Sequence, residues 1–282
     1  MITLRLLGNV RLTYDNKSIT LQLMQIKLLV ALYCLGGFID RDRLVTLLWD
    51  CPTAGSRHTL RSHVSHIRKQ VADADGNPDG LIVTVSPSNN RTSYGLAEGV
   101  QCDADLFLAR AREGADAFAV EQDRLASELL ESALGMWGRV DRYDQFLAEV
   151  ADCSFVVQTR SKIWAARRDA VIDKAKADIA LGLPRRAAAD LPGLAAEWPD
   201  DGEITRLQAI ALYGSGKPTE AAEICKNAAA KARASGMDDQ VFLDLHQGIL
   251  NGSLPFRSLI PALSPEGKRT HTESECTAST QG

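Results

Sequence analysis

Gly182, Pro184, Ala187 and Ala188 recur as Gly216, Pro218, Ala221 and Ala222, each 34 residues further along the chain. The two segments read GLPRRAAADL and GKPTEAAEIC. A glycine there suits a helix end, a proline opens the next helix, and small alanines let two helices approach closely. Thirty-four residues is the tetratricopeptide period, so this stretch is expected to stack helix pairs. A weaker echo links Ala126 and Trp137 to Ala187 and Trp198, both offset by 61. From Asp103 to about Asn251 the pattern stays helical, with no strand expected.

The front reads differently. Three short β-type runs, 2–8, 10–15 and 18–23, are separated by Gly8-Asn9 and Asp15-Asn16, which predicts a small antiparallel sheet. Met24 to Leu35 has the composition of a buried helix, closed by Gly36-Gly37. Asp40 is placed to cap a second helix, with Leu44, Val45, Leu48 and Trp49 on one side. A third helix follows over 56–71, capped by Ser56 or Thr53, and then a turn-rich linker, ADADGNPDG. LIVTV (81–85) and TSYGL (92–96) read as two strands joined by the polar loop SPSNNR.

The third helix, SRHTLRSHVSHIRKQV, holds three of the five histidines and four basic residues, and no acid occurs from Cys51 to Ala72. Yet the chain is acidic, with a net charge of −4. At 100° per residue Leu60, Val64, Ile67 and Val71 share a stripe about 60° wide, and the polar residues take the rest of the circumference. Three readings compete for that face. A metal site would use His63 and His66, but His58 lies two turns away and Cys51 helps only if its loop folds back. A plain solvated face normally mixes signs, often as Glu–Lys pairs four apart. A surface for a polyanion fits better, because Arg and Lys satisfy phosphates while Ser, Thr and His reach base edges. Helix, connection, helix and β-hairpin then form a helix-turn-helix with a wing. Arg91, with Asn89 and Asn90, lies at the wing tip.

LRLLGNVRLTYDNKSITL, QIKLLVALYCLGG, DRDRLVTLLW and RHTLRSHVSHIRKQV resemble the winged-helix effector domain of OmpR/PhoB-type response regulators. DADLFLARAREG, LLESALGMWG, WAARRDAVIDKAKADIALG and LDLHQGIL resemble successive helices of a bacterial transcriptional activator domain. Over roughly 2–250 the chain is similar to the SARP family, activators of antibiotic-cluster genes. The resemblance implies an α+β winged helix-turn-helix domain over 1–98, then an all-α tetratricopeptide-like repeat domain over 103–251. A disordered tail is expected over 252–282.

The resemblance further implies binding to direct repeats in double-stranded DNA, about one helical turn apart, as a homo-oligomer that recruits RNA polymerase and its sigma factor. The expected contact residues are Arg57, His58, Thr59, Arg61, Ser62, His63, Ser65, His66, Arg68, Lys69, Asn90 and Arg91. The family pattern often has Arg where His58 and His66 stand, and its wing ends Gly-Tyr-Arg where this chain has Ser93-Tyr94-Gly95. Base preference is therefore not carried over. No receiver domain precedes the front domain, so aspartate phosphorylation in cis is not expected, and the nucleotide-binding domain of larger members is not expected either.

An adaptor that binds only protein would expose apolar anchors on 56–71, which are absent. An enzyme finds no P-loop, Gly-x-Ser-x-Gly or His-Glu-x-x-His, so neither catalysis nor a metal or cofactor is expected. Asp200-Asp201 read as solvated turn residues, and Trp137, Trp164 and Trp198 as packing residues. No residue cluster points to a small-molecule effector. The longest apolar stretch, Ile26 to Ile39, is too short to span a bilayer. Six scattered cysteines without a CxxC pair suit a reducing cytoplasm, with the protein on the nucleoid.

Overall fold

The computed structural model describes residues 2–15, 17–75, 80–86, 91–138, 140 and 142–253. β1 (Ile2–Arg5), β2 (Arg11–Tyr14) and β3 (Lys17–Ile19) form an antiparallel meander with Leu4 opposite Leu12 and Leu12 opposite Ile19. Alternation points Ile2, Leu4 and Leu12 inward, and all three are buried. α1 (Leu23–Leu35) is apolar almost all round, and its Leu28–Leu32 run is fully enclosed. Gly36 and Gly37 end it at φ of 64° and 61°, a region other residues enter only with strain.

β4 (Ile39–Asp40) then serves two ends. Its backbone pairs with a later strand, while the Asp40 carboxylate accepts from the Asp42 and Arg43 N–H groups and caps α2 (Arg41–Leu48). Leu44, Val45 and Leu48 of α2 are buried and Trp49 half-buried, as their spacing predicts. α3 (Ser56–Asp75) runs four residues past the expected end. Ala72 and Ala74 are strong helix formers, and the chain's turn residues begin only at Gly76. β5 (Ile82–Val85) and β6 (Ser93–Leu96) make the expected hairpin, and β4 joins its far edge.

β7 (Gln101–Cys102) was not expected; it pairs parallel to β1 and closes the first sheet. The body follows at once: α4 (Asp103–Ala119), α5 (Asp123–Leu134), three single 3-10 turns within 143–156, and the long α6 (Val157–Ala180). α7 (Pro184–Glu197), α8 (Gly202–Gly214), α9 (Pro218–Ala234) and α10 (Gln240–Leu250) then stack in antiparallel succession. The 34-residue pattern lands where predicted. Gly182 and Gly216 adopt φ of 75° and 83°, Pro184 and Pro218 open α7 and α9, and Ala187 and Ala221 are fully buried.

Two apolar cores result. One runs through the front sheet, α1–α3 and α4–α6, and includes an aromatic cluster of Phe107, Trp137, Phe146 and Trp164 with centroids 5.1–6.0 Å apart. The second holds α7–α10 to the end of α6. The head is therefore packed on the body. The Asp103 carboxylate accepts from Leu6 N–H at 2.6 Å, Gly138 N–H donates to Leu7 C=O at 2.9 Å, and Tyr33 Oη donates to Asp105 at 2.8 Å. Inside the body the fully buried Asp178 accepts from Ser127 Oγ at 2.6 Å and Lys174 Nζ at 2.9 Å. A buried carboxylate satisfied on both oxygens is tolerated where a bare one is not.

Asp200 is the exposed turn residue expected, but Asp201 is not. Asp201 caps α8 through the Glu203 and Ile204 N–H groups and pairs with Arg168, while Asp200 pairs with Lys231 at 2.6 Å. No helix among the described residues is long and apolar enough to cross a membrane. The tail from 254 onward lies outside the described residues.

Candidate nucleic-acid interface

α3 is held by the seam its periodicity predicts. Leu60, Val64, Ile67 and Val71 are 0–3% exposed against the core formed with α1, α2 and β2. Removing one large seam side chain would cost about 2–5 kcal/mol. At its start, Ser56 Oγ accepts from Thr53 N–H at 2.9 Å. Gln70 Nε2 donates to Thr20 C=O at 3.0 Å near the other end. The rod is fixed at both ends and along one side.

The remaining circumference is open. Arg57, His58, Thr59, Arg61, Ser62, Ser65, His66 and Lys69 are exposed, and His63 and Arg68 are half-buried. The Thr59 and Ser62 hydroxyls donate to Gly55 and His58 carbonyls at 3.2 Å, which leaves their oxygen lone pairs facing outward. Arg61, Ser65 and Lys69 form one side of a groove of about 500 Å³ whose other side is Thr84 and Tyr94 of the hairpin. A second shallow depression along the helix is bounded by His58, Ser62 and His66.

Two of the expected contact residues are engaged by the protein itself. Arg57 Nε and Nη2 donate to the Asp42 carboxylate at 2.7 and 2.8 Å, so α2 supplies an acid to the start of α3, which has none of its own before Asp73. That guanidinium holds the Asp42 carboxyl below its usual range. Arg68 Nε and Nη2 donate to Ile82 C=O at 3.1 and 2.8 Å, and Nη2 also to Thr84 Oγ1 at 2.7 Å. Arg68 thus pins the hairpin to α3. Its place beside the apolar stripe, 40° from Val64 at 100° per residue, is the signal that it would turn inward. Sequence offered no signal for Asp42, which lies on another helix.

His63, at the seam's flank, is pushed below its usual value by burial first and by the charge of His66 second. Arg91 is exposed between β5 and β6. Asn90 lies outside the described residues. Among the described residues no three His, Cys, Asp or Glu side chains converge as metal ligands.

A head of two small sheets and three helices, packed on an all-helical body, is the class of protein this fold defines. Residues 102–236 match the bacterial transcriptional activator domain. The chain carries that domain in its SARP form and is homologous to the SARP-family regulators EmbR and AfsR. It is 27% identical over 220 residues to the transcriptional regulatory protein EmbR of Mycobacterium tuberculosis, covering 77% of this chain and 54% of the relative. It is 27% identical over 218 residues to the regulatory protein AfsR of Streptomyces coelicolor, covering 76% of this chain and 20% of that one. A solved structure of M. tuberculosis EmbR in complex with a low affinity phosphopeptide superposes with a TM-score of 0.75 at 25% identity, covering 92% of this chain and 68% of the other. The chain spans about half the length of the EmbR sequences it matches.

Proposed function

We propose that the protein is a sequence-specific DNA-binding transcriptional activator whose α3 enters the major groove as the recognition helix of a winged helix. One observation carries the reading: a helix seated by a narrow apolar seam leaves Arg61, Lys69, His58, His66 and three hydroxyls exposed on a single open face. Arg61 and Lys69, neither paired with an acid among the described residues, take phosphates. His58, His63, Ser65 and His66 read base edges. The hairpin carries Arg91 toward the neighbouring backbone, with Asn90 beside it in sequence. Arg57 contacts phosphate only by exchanging Asp42 for it, and Arg68 acts by holding the wing.

On this reading the protein binds direct repeats about one helical turn apart, as a homo-oligomer, and recruits RNA polymerase and its sigma factor. Its targets are promoters of a secondary-metabolite gene cluster, and it works in the cytoplasm on the nucleoid. Because the head shares a core with α4–α6, tilting the head on DNA carries the body with it, which fixes where neighbouring bodies meet. Footprinting on DNA around the gene's own neighbours tests this. Paired protections about 10–11 bp apart are expected, and abortive transcription from that promoter should rise when the protein is added to polymerase. Uniform, unphased protection would refute the direct-repeat geometry.

A further inference from the structure

At the last register position of the β1–β2 pair, Arg5 stands directly opposite Arg11. Leu4 before the one and Leu12 after the other point into the core. Alternation therefore turns both arginines to the outer side of the sheet, where they are exposed. Like charges directly opposite each other destabilise a strand pair. Among the described residues neither guanidinium has an acid within ion-pair distance to offset that repulsion.

The pair opens onto a cleft of about 620 Å³ between head and body, which Asn9 and Gln145 also line. Two acids stand near it, and both face backbone N–H groups. Asp103 accepts from Leu6 N–H at 2.6 Å and Leu7 N–H at 3.3 Å, and Glu149 accepts from Val10 N–H at 3.4 Å. Burial raises the Asp103 carboxyl, and Arg5 pulls against it only from beyond ion-pair distance, after the Leu6, Leu7 and Ala104 N–H groups. The loop from Leu6 to Val10 is thus tied to the body through its backbone, with two unneutralised guanidiniums at its root.

We infer that the Arg5/Arg11 cleft binds a small ligand bearing a phosphate or diphosphate group. A phosphate monoester carries about −1.5 to −2 near pH 7, which matches two guanidiniums. Each guanidinium offers a planar fork of donors to phosphate oxygens, and the Asn9 amide adds another donor. The duplex proposed for α3 lies elsewhere. The α3 seam packs on the core that Leu4 and Leu12 enter, so its open face and the outer side of the sheet point away from each other. The assignment therefore does not rest on the α3 reading. A bound phosphate removes the like-charge repulsion and stiffens the loop that carries the joint between head and body.

Calorimetric titration of pyrophosphate into the full chain, at low ionic strength and without DNA, tests the assignment. Arg5→Gln and Arg11→Gln should each weaken binding at least about tenfold, because a charge-assisted fork is lost. Both side chains are exposed, so these variants should melt as the unaltered protein does. Arg5→Lys and Arg11→Lys keep the charge without the fork and should recover only part of the affinity. Arg61→Ala with Lys69→Ala should leave this site unchanged. Hydrogen exchange should slow in 6–10 and 142–148 when pyrophosphate is added. Binding that survives both Gln substitutions, or that disappears with Arg61 and Lys69, would overturn the inference. So would a loss of duplex affinity in Arg5→Gln or Arg11→Gln with the salt slope lowered by about 0.9, because the cleft would then hold a DNA phosphate.

Discussion

Arg57 and Asp42 meet in a two-point ion pair, Nε to Oδ1 at 2.7 Å and Nη2 to Oδ2 at 2.8 Å, joining the start of α3 to the first turn of α2. It places one negative charge at the start of a face that has no acid of its own from Ser56 to Ala72. Both side chains are exposed, so the pair contributes little to stability. Its consequence is electrostatic: Asp42 competes with phosphate for Arg57. Asp42→Ala should therefore tighten binding to all duplex DNA, by about two- to tenfold at low salt, and steepen the salt dependence by about one counterion. Fluorescence anisotropy across a salt series checks both. Unchanged affinity would mean that Arg57 stays away from the backbone.

Arg61, Lys69 and Arg68 are neighbours on α3 with different work. Arg61→Ala and Lys69→Ala should each weaken every duplex alike and lower the slope of log K against log salt by about 0.9, with the melting temperature unchanged. Arg68→Ala should instead lower stability by about 1–3 kcal/mol, because Ile82 C=O and Thr84 Oγ1 lose a charged donor. Thermal melts beside binding isotherms separate the two effects.

On the proposed reading, His63 gives the interface a pH dependence. Burial and the nearby His66 charge push His63 below 6.5, so the fold favours its neutral form. Its contribution to stability is complete above that value and is lost as pH falls through the folded pKa. A phosphate or base acceptor favours the imidazolium and opposes the shift. DNA affinity is thus expected to rise as pH drops from about 7.5 to about 5.5, while the free protein's melting temperature declines. His63→Gln should remove part of both trends. Flat affinity across the range in wild type would contradict histidine contacts.

Asp173 on α6 is a test inside the body. Burial, then the charges of Asp169 and Glu203, push its carboxyl up to about 6 against the pull of Lys176. A carboxyl raised in the folded state penalises folding when ionised; the penalty is absent below about pH 4 and grows as pH rises through 6. Asp173→Asn should stabilise the protein by about 1–3 kcal/mol at neutral pH and by nothing near pH 3.5. Urea titrations at both pH values read the difference.

What sequence made legible was whatever rests on local periodicity. The Leu60/Val64/Ile67/Val71 seam, the Asp40 cap and the Gly-Pro repeat all depend on residues within a few turns of each other. What it hid depends on partners far along the chain. β7 is two residues long and owes its existence to β1 lying open beside it. Asp103 closes the head onto the body across 97 residues, and Asp42 meets Arg57 across 15. Arg57 and Arg68 carry the residue type of phosphate ligands, and only packing reveals their internal partners.

The central claim is that the open face of α3 lies against duplex DNA. A photoreactive residue at Ser65, mid-face and exposed, tests it most directly, with the same label at Thr219 on α9 as the control. The account predicts cross-links from position 65 to bases of a footprinted operator, lost when Arg61→Glu and Lys69→Glu are combined, and none from position 219. Equal labelling from both positions, or none from 65 on DNA that the protein retards, would contradict it.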